Sequence, residues 1–242
     1  MVRLTVEGEL LRVAAFLPFP SLEDETVLSN LLIVTGDIMF FRACSFETGS
    51  LALATYVPLT ALSSEQLELL IRTLACYVDI APTVPGQIGA LRDHMRHARE
   101  VTQQKAQEAR LPFADLDTVQ KMVQERGWHW ELASNHVAAF GPSGTGNKGA
   151  KLTSLWKAEA NQDGFKFSTD LGYLRVGGDP LDLYQRLLRL NGASGLGKLT
   201  LTAEARLQLA VELPLLDQAA FEVVIQVLAT NAEPLRRELT QS

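Results

Sequence analysis

Cysteine is nearly missing from this chain. Cys44 and Cys76 are the only two in 242 residues, each inside an apolar pattern, and a buried thiol is the expected state of both, ahead of a disulfide or a metal ligand. Positive charge is also scarce: 22 Lys and Arg face 28 Asp and Glu, a net charge of −6. A direct nucleic-acid binder normally presents a basic face, so none is expected here, whereas a basic protein partner would be favoured by complementary fields. No apolar run approaches the roughly 18–20 residues that cross a bilayer. The opening MVRLTVEGELLRVAAF alternates like a strand and lacks the apolar core and cleavage site of a signal peptide. No membrane and a cytoplasmic location are the expectation.

Catalytic signatures are absent as well. GPSGTGNKG at Gly141–Gly149 approaches a phosphate-binding loop, with Gly141 and Gly146 at the required spacing, but Asn147 follows and Lys148 stands where Ser or Thr should hold magnesium. The next residues, AKLTSLWKAEA, alternate like a strand instead of opening a helix toward an anion. A hairpin loop is expected. His94 and His97 would share a helix face, yet no carboxylate or cysteine pattern completes a metal site around them. His129 and His136 sit in a strand beside Trp128 and Trp130. No G-x-S-x-G occurs, and neither cysteine has a histidine nearby in sequence. Glu23/Asp24 and Asp115/Asp117 fit helix starts, where the dipole favours anions. Trp128, Trp130 and Trp156 lack the basic surround of a base-stacking platform and read as core. Hence no enzyme, catalytic residue, cofactor or metal is expected.

What is present is repetition. With 47% hydrophobic and 21% charged residues the chain reads as globular, and ARLQLAVELPL at 205–215 repeats the phase of GSLALATYVPL at 49–59. A shift of 156 residues pairs Arg3–Leu59 with Glu159–Leu215 without a gap. Gly8 meets Gly164 in two turn signals. Leu31-Leu32 meets Leu187-Leu188, and Gly36 meets Gly192, where Gly suits a helix C-cap. Leu51, Leu53, Ala54, Pro58 and Leu59 meet identical residues. After a two-residue deletion, Ile71, Leu74 and Ala75 face Ile225, Leu228 and Ala229. A one-residue slip would turn every apolar set toward water, so the retained phase points to tandem duplication.

Each copy reads as hairpin, helix, hairpin, helix, and residues 3–79 and 159–233 are expected to superpose. In the second copy the strands fall near 152–161, 164–174, 197–203 and 206–213. Its helices fall near 180–191, opened by Asp179-Pro180, and from 217 to 231 or beyond. A front piece precedes it: a helix near 115–126 closed by Gly127, then one strand, WHWELASNHVAAF. Residues 85–112 are polar with a thin stripe of Leu91, His94 or Met95, Ala98, Val101, Lys105 and Ala109, the pattern of a long, largely exposed linker helix. The expected organisation is a first, shortened lobe at 1–84, a linker at 85–112 and a fuller lobe at 113–242.

Leu190-Asn191 ending a helix, Leu196-Gly197-Lys198-Leu199 opening a strand, and Leu207 through Leu213-Pro214-Leu215 give the second copy its character. In these residues, and in the front helix ending at Gly127-Trp128, it resembles the YbjN family of bacterial proteins, itself similar to the type III secretion chaperones. The resemblance covers about 115–239 in the fuller copy and 1–80 in the shorter. It implies an α+β fold of two tandem lobes, each an antiparallel sheet packed on helices. It further implies a non-enzymatic, chaperone-like adaptor that binds a client protein without ATP, or alternatively a regulatory module of a bacterial signalling or stress response. Such chaperones are usually acidic dimers. Two lobes in one chain then allow either a self-contained pseudo-dimer or a shortened lobe that borrows cover from a second chain, as a homodimer.

Overall fold

Alternation over the first residues becomes a hairpin. In the computed structural model Val2–Glu7 (β1) pairs antiparallel with Leu10–Phe16 (β2). Gly8 turns between them at φ 62°, a left-handed conformation that glycine adopts without strain. The structure describes residues 2–17, 23–37, 40–46, 50–59, 62–80, 115–133, 136–140, 154–161, 164–174, 178–193, 195, 197–213 and 216–239. The linker 85–112 with His94 and His97, and the loop 141–149, lie outside them.

Helix α1 (Glu25–Asp37) follows, its start capped by the Asp24 carboxylate, which accepts from the Val27 N–H at 3.1 Å. Strands β3 (Arg42–Ser45) and β4 (Leu51–Pro58) and helix α2 (Ser64–Ile80) complete the first lobe, whose sheet runs β1-β2-β4-β3. The second lobe opens with α3 (Leu116–Glu125), capped by Asp115 and ended by Gly127 at φ 65°. Then come β5 (His129–Ala133), β6 (His136–Phe140), β7 (Ser154–Asn161) and β8 (Gly164–Tyr173). Helix α4 (Pro180–Ala193), strands β9 (Lys198–Leu201) and β10 (Arg206–Leu213) and helix α5 (Gln218–Leu239) end it. Its sheet runs β5-β6-β7-β8-β10-β9. The fold is α+β, with two antiparallel sheets of four and six strands packed on helices.

The 156-residue shift lays β3 onto β9 end to end, and the order β1-β2-β4-β3 onto β7-β8-β10-β9. The front piece departs from its sequence reading. WHWELASNHVAAF is two strands, because Ala133 pairs with His136 across a two-residue connection. Ser and Asn at 134–135 are turn-favouring residue types in the sequence, and the alternation that resumes beyond them hides the reversal. Helix α3 packs across β5, β6 and β7, whereas over β1, the equivalent of β7, it is α2 that reaches the sheet.

Val13, Leu31, Leu53 and Leu74 of the first lobe join Phe167, Leu187, Leu209 and Phe221 of the second in one buried apolar cluster. The lobes therefore share a core instead of meeting at a wetted boundary.

Candidate functional site

Helices α1 and α4 lie side by side between the sheets, and each ends against the other lobe: α1 on β9, α4 on β3. Gly36 and Gly192 make this possible. Their sequence signal is that of C-caps, but both stand inside the last helical turn and neither is left-handed. Close approach is the physical reason. A Cβ on Gly192 would stand 2.4 Å from the Ser45 carbonyl oxygen, and one on Gly36 would stand 3.4 Å from Thr200 Cβ. Cys44, which also borders Gly192, and Thr200 are themselves 156 residues apart, so the contact is exchanged across a pseudo-two-fold axis.

Polar groups gather on that axis. Lys198 Nζ donates to the Thr35 carbonyl at 3.0 Å and lies 2.7 Å from the Glu212 carboxylate, while Lys166 Nζ donates to the Gly36 carbonyl at 3.2 Å. Two ammonium groups thus meet the carbonyl end of α1, where the helix dipole favours cations. From the first lobe, the Tyr56 hydroxyl donates to the Gly192 carbonyl at 2.9 Å. The Arg42 guanidinium donates to the carbonyls of Gly195 and Gly197 and lies 4.3 Å from the Tyr56 ring centre. Glu212 also accepts from the N–H of Phe40, a bulky residue held at φ 70°, a strained backbone that the surrounding contacts must fix. Asn191 donates to the Ala43 and Leu199 carbonyls at 3.0 and 2.9 Å and accepts from the Leu199 N–H at 2.7 Å. Arg42 corresponds to Lys198 under the repeat, Tyr56 to Glu212, and Thr35 to Asn191. Positions equivalent under the 156-residue shift thus meet at one junction with different chemistry.

Arg42, Lys198 and Glu212 are only 2%, 4% and 7% exposed, so each charge persists only because partners replace water. Burial lowers Lys198 to about 8 against the opposing pull of Glu212, and lowers Arg42 to about 10. Burial also pushes the Cys44 thiol up to about 12; its Sγ–H donates to the Ala52 carbonyl at 3.6 Å. A void of about 10 Å³ lies among Phe40, Arg42, Thr55, Tyr56, Lys198 and Glu212, scarcely the room of one water. The cations are directed at backbone carbonyls and at Glu212. What this arrangement does chemically is lock two lobes in register.

The residues singled out from sequence fall elsewhere. Trp156 is buried, with its ring centre 5.5 Å from Phe167, 5.9 Å from Phe221 and 6.3 Å from Trp128. Trp130 packs partly buried against the same cluster. His129 and His136 lie on neighbouring strands paired with Phe140 and Ala133. Among the described residues no three of His, Cys, Asp and Glu converge as metal ligands would. Asp24, Asp115, Asp179 and Asp217 all cap helices through their carboxylates. Sequence reasoning gives no role to Arg42, Tyr56 and Glu212 and quotes Lys198 only as part of a strand opening, although a signal exists: Arg42 and Glu212 are charged residues between apolar neighbours, and the repeat pairs Arg42 with Lys198 and Tyr56 with Glu212.

Two sheet edges complete the candidate surfaces. Among the described residues β1 pairs only with β2, and β5 only with β6. Leu4 and Val6 on β1 are 49% and 62% exposed, and Leu132 on β5 is 58% exposed. Among the described residues no helix is long and apolar enough to cross a membrane. No family model, no curated protein and no solved structure matches this chain.

Proposed function

We propose that this chain is a non-enzymatic, chaperone-like adaptor that holds an extended segment of a client protein without ATP. The observation that carries the reading is the outer edge of β5. Its backbone has one neighbouring strand among the described residues, Trp130 and Leu132 share one face, and Leu132 stands in solvent. An added strand gains main-chain hydrogen bonds at such an edge and sets alternate side chains against the apolar face. The net charge of −6 suits a basic client. The buried charges support the reading in another way, since their described contacts hold the scaffold together.

Affinity capture on the tagged full chain, with and without ATP and magnesium, is the test. One stoichiometric client is expected, retained in both conditions. Leu132→Asp should lose it while leaving the melting temperature within a few degrees of wild type, as surface changes do. Absence of any stoichiometric partner, or release by ATP, overturns the proposal.

A further inference from the structure

The edge strand β1 is complementary to itself. Its register with β2 sets Leu4 against Val13 and Val6 against Leu11, so Leu4 and Val6 lie on the core-side face; Arg3, Thr5 and Glu7 lie on the other. Glu7 is tethered by Arg12 at 2.7 Å, and the Arg3 guanidinium lies 5.7 Å from the Phe16 ring centre. Both charges are therefore held on the outer face of the strand. An antiparallel copy centred on Thr5 then brings Thr5 opposite Thr5, Leu4 opposite the second Val6, and Arg3 opposite the second Glu7. Every directly opposed pair is matched in kind, apolar with apolar on one face and cation with anion on the other.

The fuller lobe shows what this position in the repeat requires. Its equivalent strand, β7, has its outer edge occupied by β6 and its core-side face covered by α3. Among the described residues β1 has no strand on its outer edge, and α2 reaches its core-side face while leaving Leu4 and Val6 exposed. Long open edges bearing apolar side chains invite pairing with another chain.

We infer that β1 is a homodimerisation strand: two copies of the chain pair through β1, antiparallel about Thr5, and join their four-stranded sheets into one. The contact is isologous and closes as a two-fold dimer instead of growing into a fibre. One strand edge per copy is small for a permanent interface, so the dimer is weak and its population depends on concentration. It requires no client and is measured on the purified chain alone, so it stands or falls apart from the adaptor reading.

The test is a charge exchange read by sedimentation velocity from the low micromolar to the millimolar range. Wild type should pass from monomer to dimer across the series. Arg3→Glu sets a carboxylate against the second copy's Glu7, and Glu7→Arg sets two guanidinium groups together; each alone should weaken dimerisation about tenfold or more. An equimolar mixture of the two variants pairs opposite charges at both ends and should restore the dimer. Leu4→Lys should abolish it. Far-ultraviolet circular dichroism checks that each variant is folded, and Arg3→Lys, which keeps the charge, should dimerise as wild type does. A wild type that stays monomeric throughout, for example because residues 81–114 occupy this edge, overturns the inference. So does a dimer unaffected by the single variants, or one that the mixture fails to restore.

Discussion

Lys198 Nζ donates to the carbonyl oxygen of Thr35 at 3.0 Å, a hydrogen bond spanning 163 residues of chain. Its counterpart under the repeat, Arg42, reaches the opposite way to the carbonyls of Gly195 and Gly197. The two cations tie each lobe to the other's helix end or the loop beyond it, so the lobes act as one folding unit, and perturbations at the junction should be felt by both.

Removing one member of the buried pair is therefore costly. Lys198→Met leaves Glu212 with its charge but without the ammonium 2.7 Å away, and a broken buried pair typically loses about 3–5 kcal/mol. Lys198→Met combined with Glu212→Leu removes both charges and should recover much of that loss. Urea unfolding of the single and double variants measures both. A single variant within about 1 kcal/mol of wild type would count against a paired role.

The same lysine gives stability a dependence on pH. Its folded-state pKa near 8 lies below the ordinary lysine value of 10.5, so between these values the unfolded chain binds more protons than the folded one. Stability from this group is fully present above pH 10.5 and is lost as pH falls to about 8. Across that window the difference in unfolding free energy between wild type and Lys198→Met should change in favour of wild type as pH rises. A difference that is flat with pH removes this assignment.

Cys44 has the opposite sign. Burial raises its pKa from 9.0 to about 12, so the folded state keeps a proton that the unfolded chain releases. The contribution is whole below pH 9.0 and declines as pH rises toward 12. In a Cys76→Ser background the Cys44 thiol should react with a disulfide reagent at the rate of global unfolding and no faster, since the thiolate is the nucleophile. Rapid labelling of the native protein contradicts the burial.

The two junction glycines should behave unequally. Gly192→Ala drives a methyl against the Ser45 backbone, where the contact would be 2.4 Å, whereas Gly36→Ala meets the Thr200 side chain at 3.4 Å. Overpacking against backbone costs about 1–3 kcal/mol or more, while alanine in a helix is otherwise favoured over glycine by about 0.5–1 kcal/mol. Gly192→Ala should therefore destabilise strongly and Gly36→Ala hardly at all, by thermal melts of the two variants. Equal losses would refute the asymmetry.

Local chemistry determined the elements. Alternation through Leu51, Leu53 and Val57, and through Leu207, Leu209 and Val211, gives strands because each apolar set must share a face. Asp24, Asp115, Asp179 and Asp217 begin helices because a short carboxylate reaches the unpaired N–H groups. The 156-residue correspondence carried the sheet order from one lobe to the other, since equal phase and equal turns leave little freedom in how strands follow one another. The reversal within WHWELASNHVAAF lay beyond this kind of reading, because alternation continues unchanged on both sides of Ser134-Asn135. So did the second life of Gly36 and Gly192: a glycine near a helix end looks the same whether it turns the chain or admits a neighbour's backbone. Tertiary structure alone decided that Arg42, Tyr56, Lys198 and Glu212 meet. Pairing across 136 to 163 residues is fixed by how two lobes pack against each other, and in one dimension those four residues are only polar interruptions in buried strands.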